Sequence, residues 1–257
     1  MTLATVDRTA LENKVKSMYS DVAANPHGEF HFEMGRPMAE RLGYAPADLD
    51  RIPRAAIDSF AGVGHFFHLA NLQLGEEVVD LGSGSGMDSF IAALKVGAAG
   101  KVVGIDMTDA QLAKATHLAQ THDVHTVTYR KAYIEDTGLT DASFDCVISN
   151  GVINLAADKA RVFREAFRLL KRGGRLAIAD IVTDLPLPEN VVCNADLWAA
   201  CIGGAAQQQD YETAIEIAGL QIERVEENTG YRFISERAQK ATAKWGVKSV
   251  SVLARKR

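Results

Sequence analysis

Residues 78–90 constrain the fold of this 257-residue chain more than any other stretch. Val78, Val79 and Leu81 form an apolar run typical of a strand that is buried on both faces of a parallel sheet. Three glycines at alternate positions follow, and the sequence from Met87 onward is typical of a helix. Glycine suits a sharp turn or a close approach by a ligand, and a helix start offers unpaired N–H groups. The stretch therefore predicts a strand, a glycine turn and a helix that together form a nucleotide-type cofactor site.

Two acids accompany the glycines. Asp80 lies in the strand just before Gly82, Gly84 and Gly86, a Gly-x-Gly-x-Gly spacing that differs from the Gly-x-Gly-x-x-Gly of dinucleotide sites. A carboxylate at this point would repel a pyrophosphate and attract a cationic amino-acid group. Asp106 ends the next predicted strand, at a distance from the glycines where a carboxylate takes both hydroxyls of a ribose.

These residues, together with the Gly-Ile-Asp-Met sequence around Asp106, resemble the S-adenosylmethionine site of class I methyltransferases. A packing turn in another α/β domain is the alternative. The resemblance implies S-adenosylmethionine as cofactor. In that family the loop after the third strand holds the adenine. The implied cofactor-binding residues are Asp80, Gly82, Ser83, Gly84, Gly86, Asp106, Met107, Tyr133, Ile134, Glu135 and Asn150.

The wider pattern predicts an α/β fold, because strands and helices alternate between residues 78 and 181. The resemblance implies a Rossmann-like class I methyltransferase fold, with a mostly parallel seven-stranded sheet, an antiparallel closing strand and an N-terminal helical cap. We expect residues 1–74 to form the cap or lid. Residues 75–257 are expected to form the methyltransferase domain, with an acceptor-side insertion at about 183–210. Strands are predicted at 221–226, 231–234 and 247–253.

The predicted cap contains helices at 7–24, 36–42 and 48–60. Residues 25–35 are rich in aromatic side chains and have no regular period, so they form either a lid over the site or a plug in the core. Tyr19 lies on a helix that resembles the family's tyrosine-bearing helix, which packs against the cofactor. A buried tyrosine with a satisfied hydroxyl is the alternative.

Composition limits the partners. A net charge of −5 argues against a nucleic-acid partner, and no apolar stretch approaches the length of a membrane span. The N-terminus lacks the pattern of a secretory signal, so the cytoplasm is the expected location, and the expected partner is a small-molecule acceptor. His65 and His68 lie three residues apart, but without a third ligand at a recognisable spacing they favour packing over metal binding, and no metal is expected.

Two later stretches, residues 148–159 and 197–205, resemble the arsenite methyltransferases. Those enzymes bind As(III) through several thiolates, since a soft centre prefers soft ligands. Cys201 matches one arsenic-binding position, whereas Gly151, Val152 and Ile153 stand where the family has a second cysteine. Cys193 could substitute only if the chain between the two cysteines folds back. A complete three-thiolate site is therefore not predicted.

The expected reaction is an in-line attack by a nucleophile on the methyl group of the cofactor, so holding the acceptor in line is the main catalytic task. Cys201, Asn150 and Tyr19 are the candidate catalytic residues. Three functions remain open at this point: an arsenite methyltransferase-like enzyme, a methyltransferase of a small thiol, sulfide or other metabolite, and a non-catalytic S-adenosylmethionine-binding protein.

Overall fold

A computed structural model describes residues 8–30, 32–188, 191, 203–234 and 236–257, and one mixed sheet forms its centre. Its strands are β1 (Glu77–Leu81), β2 (Lys101–Asp106), β3 (Val127–Lys131), β4 (Phe144–Asn150), β5 (Leu170–Thr183), β6 (Ala206–Gln207), β7 (Leu220–Glu227) and β8 (Lys248–Lys256). The order across the sheet is β3-β2-β1-β4-β5-β8-β7, and β6 pairs with β5 outside this path. Among the strands of the described residues, β8 runs opposite to all the others and pairs antiparallel with both β5 and β7. The predicted class I architecture is confirmed, with the two-residue β6 as an additional strand.

Helices cover both faces of this sheet. They are α1 (Arg8–Ala24), α2 (Arg36–Leu42), α3 (Pro46–Leu49), α4 (Arg54–Asp58), α5 (Phe67–Ala70), α6 (Met87–Val96), α7 (Asp109–Thr121), α8 (Lys159–Leu169), α9 (Gln208–Ile217) and α10 (Glu236–Trp245), with a 3₁₀ turn at Ile153–Leu155. No helix among the described residues has the length and apolar character needed to cross a membrane.

The strand β1 shows why an apolar run without alternation is buried on both sides. Val78 belongs to the core cluster that contains Phe90 of α6, and the next residue, Val79, belongs to the cluster that contains Phe163 of α8. Successive side chains of a strand point to opposite faces, so both faces of β1 need apolar residues. The first cluster also contains Leu11 of α1, which means that the cap shares its core with the sheet.

Two predicted elements were wrong. The single helix at 48–60 is two short helices, because Pro53 cannot donate a backbone hydrogen bond and α4 begins directly after it. Residues 231–234 form no strand, although Tyr231 and Phe233 pack edge to face, and the helix α10 that follows was not predicted. At Gly173 the strand β5 is irregular, and its pairing with β4 shifts register.

The sheet order identifies where a ligand binds. The chain passes from β1 to β2 on one side, and β4 lies on the other side of β1. Ligands of open α/β sheets bind at the carboxyl ends of the strands where the order reverses in this way. The glycine turn and Asn150 follow the carboxyl ends of these two strands, so the fold places them together.

A buried polar contact joins the helix α9 to the strand β5. The Tyr211 hydroxyl of α9 donates to the Asp180 carboxylate of β5 at 2.9 Å, and both residues are buried. Burial raises the pKa of Asp180 to about 6, and the hydrogen bonds that it accepts oppose that rise. The tyrosine therefore stabilises a buried carboxylate.

We predict that Tyr211→Phe lowers the free energy of unfolding by roughly 1–3 kcal/mol, because it leaves a buried acceptor without one of its donors. Tyr133→Phe is the matched control, since the Tyr133 hydroxyl also donates to a carboxylate, that of Glu12, at 2.6 Å but at an exposed site. Urea unfolding of both variants measures the difference. An equal loss in the two variants would contradict this account of α9 packing.

Candidate functional site

A cavity of about 470 Å³ opens at the carboxyl ends of β1, β2 and β4. The glycine turn forms one side of it, and the cap helices α1 and α4 form another. Residues predicted as cofactor contacts or catalytic residues line it. They are Tyr19, Asp80, Gly82, Ser83, Gly84, Asp106, Met107, Tyr133, Ile134, Glu135 and Asn150.

The glycine turn presents backbone to this cavity. Gly82 and Gly84 both have positive φ values, of +79° and +53°. A Cβ on Gly82 would collide with the Val152 side chain, whereas a Cβ on Gly84 would meet only the Gln111 Oε1 atom, at 3.8 Å. Glycine is thus required at 82 for packing, and at 84 it leaves open space beside the cavity.

Two predicted contacts have other surroundings. Gly86 is not among the lining residues, and a Cβ there would meet the Tyr129 hydroxyl. Ser83 lines the cavity, but its hydroxyl lies beside Gly104, where an added Cβ would come within 2.8 Å of it. The third glycine therefore serves the packing between the start of α6 and β3.

Asp106 ends β2 with both oxygens directed by the backbone. Gly84 N donates to its Oδ2 at 3.0 Å, and Thr108 N donates to its Oδ1 at 2.8 Å. Burial raises the pKa of Asp106, and these hydrogen bonds oppose that rise. The oriented carboxylate suits the paired hydroxyls of a ribose.

The residues after β3 form a mainly apolar part of the cavity. Ile134 is buried, and Met107 lies nearby on the loop after β2. Tyr133 is half exposed, and its hydroxyl donates to Glu12 of α1, while Lys16 Nζ lies 5.2 Å from the centre of its ring. Tyr133 therefore connects the cap helix to this loop as well as lining the cavity.

Asp80 has a second buried carboxylate near it, that of Asp88 in the first turn of α6. Sequence reasoning missed Asp88, although its position two residues after Gly86 was a usable signal. Burial raises the pKa of Asp80 to about 8, and the charge of Asp88 adds to the effect, while burial raises the pKa of Asp88 to about 6. Because the pKa of Asp80 is higher in the folded chain than in the unfolded chain, its ionisation destabilises the protein without ligand as the pH rises towards 8.

Asn150 holds the residues 60–64, which we call the wall segment. Its Oδ1 accepts from the backbone N–H groups of Val63 and Gly64 at 2.8 and 3.3 Å. Its Nδ2 donates to the Gly64 carbonyl at 3.0 Å and to Asp88 at 2.9 Å. The amide that was predicted to bond the cofactor or the acceptor thus has protein partners on both its oxygen and its nitrogen.

The remaining candidates divide into two groups. Tyr19 lines the cavity and stacks on Phe32 at 6.3 Å between ring centres, so the aromatic residues of the stretch 25–35 pack against Tyr19. The described residues of this stretch do not line the cavity themselves. Cys201 and Cys193 lie outside the described residues. In the part of the chain that the structure describes, no group of three or more His, Cys, Asp or Glu side chains is arranged to hold a metal ion.

His65 and His68 lie outside the main cavity. Their rings stack at 5.4 Å, and His68 Nε2 is 2.7 Å from the Glu226 carboxylate. Burial lowers the pKa of His65 to about 4, so this ring is neutral at neutral pH. The contact between His68 and Glu226 thus connects α5 to β7.

The residues that line the cavity fit S-adenosylmethionine. The buried acid Asp80 suits its cationic amino-acid end, the Asp106 carboxylate suits its ribose, and Met107 and Ile134 offer apolar surface for its adenine. The open space at Gly84 allows close approach to the backbone. The side chains that line the cavity are therefore those expected around a nucleoside with a cationic tail.

Comparison with known proteins agrees with this geometry. Residues 72–219 match the family model described as a methyltransferase domain. An arsenite methyltransferase of Halobacterium salinarum is 38% identical over 199 residues, which cover 77% of this chain and 51% of that protein. An arsenite methyltransferase of Aquipseudomonas alcaligenes is 46% identical over 145 residues, which cover 54% of this chain and 42% of that protein. The chain spans about half the length of these curated relatives.

A solved structure extends the likeness to three dimensions. The arsenic(III) S-adenosylmethionine methyltransferase of Chlamydomonas reinhardtii has a TM-score of 0.64 and 31% identity, covering 87% of this chain and 74% of that one. A geranyl diphosphate C-methyltransferase of Streptomyces coelicolor, at 16% identity and a TM-score of 0.68, shares the fold. The chain therefore belongs to the family of S-adenosylmethionine-dependent methyltransferases with the class I fold.

Proposed function

We propose that this chain methylates As(III), presented together with thiols from solution. The single observation that carries the proposal is the 38% identity over 199 residues to an arsenite methyltransferase. The cavity supports it by its position at the carboxyl ends of β1 and β4, beside the glycine turn. When bound, S-adenosylmethionine supplies an activated methyl group on a sulfonium.

The chain's own residues have the task of orientation. Asp106 holds the ribose of the cofactor and Asp80 its amino-acid end, and the wall segment and Val152 bound the space beside that end. As(III) has a lone pair, so the attack needs no general base. The site has only to exclude water and hold the acceptor in line.

One observation favours a second candidate, the methylation of a small thiol, sulfide or other metabolite. Cys146 is the free cysteine among the described residues; it is buried inside β4, and burial raises the pKa of its thiol to about 12. It therefore offers no thiolate to a soft centre. Cys201 remains as the one matching thiol, and a single thiol anchors a metalloid at one position only.

Incubation of purified protein with labelled S-adenosylmethionine separates these functions. Arsenite with excess 2-mercaptoethanol is compared with the thiol alone, with sulfide and with no acceptor, and the products are identified by mass spectrometry. Methylated arsenic supports the first proposal. Methylation of the thiol or sulfide alone supports the second candidate, and binding without turnover of any acceptor indicates a protein that only binds the cofactor.

We predict that Cys201→Ser lowers arsenite methylation by roughly 100-fold or more, since losing an outer-shell partner of a metal ligand already costs about 10- to 100-fold. Calorimetric affinity for S-adenosylmethionine should not change. Cys146→Ala is the matched control: it also removes a thiol and should keep the activity. Undiminished arsenite methylation by Cys201→Ser would contradict the role of this thiol.

Asp106→Ala should weaken cofactor binding by roughly 1.5–3 kcal/mol, because it removes charge-assisted hydrogen bonds to the ribose. Calorimetry with S-adenosylhomocysteine measures this loss without turnover. Asp109→Ala is the control, since Asp109 is an exposed acid near the same strand end that pairs with Lys131. An unchanged dissociation constant for Asp106→Ala would rule out the ribose contact.

The affinity for S-adenosylmethionine should rise with pH between 6 and 8 and level off above 8. The unliganded Asp80 has a pKa raised to about 8, and a cationic ligand favours its ionised form, so binding below this pH releases a proton. The expected slope is at most about tenfold per pH unit. Asp80→Asn should bind S-adenosylmethionine more weakly, and its affinity should depend less on pH. The titration of the ligand itself affects both proteins equally, so it cancels when the two pH profiles are subtracted. Identical slopes in the two proteins would contradict the assignment.

A further inference from the structure

The part of the cavity beside Asp88 combines a fixed negative charge with an uncharged wall. Asp88 is 6% exposed and lines the cavity. Phe60, Ala61 and Gly62 of the wall segment line the cavity as well. A ligand in this space therefore meets a carboxylate, an aromatic ring and backbone.

The charge of Asp88 is built into the fold. Tyr44 donates its hydroxyl hydrogen to Asp88 Oδ1 at 2.5 Å, and Asn150 donates to Oδ2 at 2.9 Å. Burial, followed by the charge of Asp88, raises the pKa of Tyr44, so the tyrosine stays protonated and remains a donor. Two hydrogen bonds from neutral donors hold the carboxylate, and each oxygen keeps a lone pair for a ligand.

No lysine or arginine neutralises this charge among the described residues, since none of their ion pairs includes Asp80 or Asp88. Arg161 is the one basic side chain among the described lining residues, and it lies 3.4 Å from the Asp136 carboxylate. The described lining of the cavity therefore has an excess of negative charge.

We propose that Asp88, fixed by Tyr44 and Asn150, determines the charge of the acceptor, so that the site takes neutral or cationic acceptors and rejects anionic ones. The inference rests on the proposed methyltransferase function and narrows its substrate class. A thiol-bound arsenical carries the charge of its thiols. Repulsion between the Asp88 carboxylate and an anionic group of the thiol is strong in a site from which water is excluded. Arsenical complexes of anionic thiols are therefore poor acceptors.

The test uses arsenite with one of three small thiols of similar size and different charge. These are cysteamine, which is cationic, 2-mercaptoethanol, which is neutral, and mercaptoacetate, which is anionic. We expect kcat/KM with the anionic thiol to be roughly tenfold or more below that with the neutral thiol. Calorimetric binding of the three arsenical complexes to the protein loaded with S-adenosylhomocysteine should follow the same order without turnover.

Variants separate the effect of the charge of the site from differences in thiol chemistry. For each protein we take the ratio of kcat/KM with the anionic thiol to kcat/KM with the neutral thiol, and this ratio is compared between variants. Asp88→Asn should raise that ratio several-fold. Ala61→Lys adds a cation to the wall segment without altering the buried network and should raise the ratio as well, whereas Ala61→Gln, which is of similar length but uncharged, should not. Asp141→Asn, an exposed acid that pairs with Arg168, is the remote control.

Equal turnover and binding of the three complexes by the unmodified chain would overturn the proposal. So would a ratio that is the same in Asp88→Asn, Ala61→Lys and Ala61→Gln. Failure of the arsenic function gives a different result: no arsenical is methylated with any thiol. The same charge order is then measured with the three thiols alone as acceptors and in the binding experiment, and its absence there overturns the inference separately.

Discussion

Two carboxylates buried within one small cavity are the constraint on which the rest of the site depends. Removing a charge from water is costly unless hydrogen bonds or a counter-charge compensate it. Ser89 donates to Asp80 at 2.7 Å, and Tyr44 and Asn150 donate to Asp88. The compensation is incomplete, since burial still raises both pKa values. A cationic ligand beside Asp80 compensates the charge of that carboxylate, so the free-energy cost of burying the charge favours binding of the cation.

The donors that stabilise Asp88 also build the acceptor side of the cavity. Asn150 reaches the wall segment from the end of β4, and Ser249 of β8 donates to the Val63 carbonyl at 2.7 Å from the other side. Gly64 lies between these two anchors, where a Cβ would come within 2.7 Å of Ala179 on β5. The charge of the site and the position of its wall are therefore properties of a single network, and a change to one alters the other.

Site residues whose positions follow from the local order of strand, turn and helix were predictable from sequence. Residues whose roles depend on partners distant in the sequence were not. The glycine turn, Asp80 and Asp106 follow from local spacing, because a parallel strand, a turn and a helix put them at one sheet edge. Asp88 was missed since a helical acid resembles a solvated one until its burial is known. Asn150 was placed at the right strand end, but its partners Val63 and Gly64 are more than 80 residues distant in sequence. Similarly, a proline inside an apolar periodic stretch outweighed the helical spacing at 48–60.

The packing of the wall segment also bears on the second thiol that the resemblance would place within residues 151–153. Gly151 has a φ of +71°, and a Cβ there would lie 3.1 Å from the Val63 side chain. A cysteine at this position would be strained and would press on the wall segment. Ile153, two residues later, is buried and belongs to the core on the far face of the sheet. The backbone here is shaped to hold the wall segment, so under the proposed arsenite function thiols from solution supply further soft ligands of the metalloid. The charge of these thiols is then part of the acceptor, and the Asp88 carboxylate acts on it.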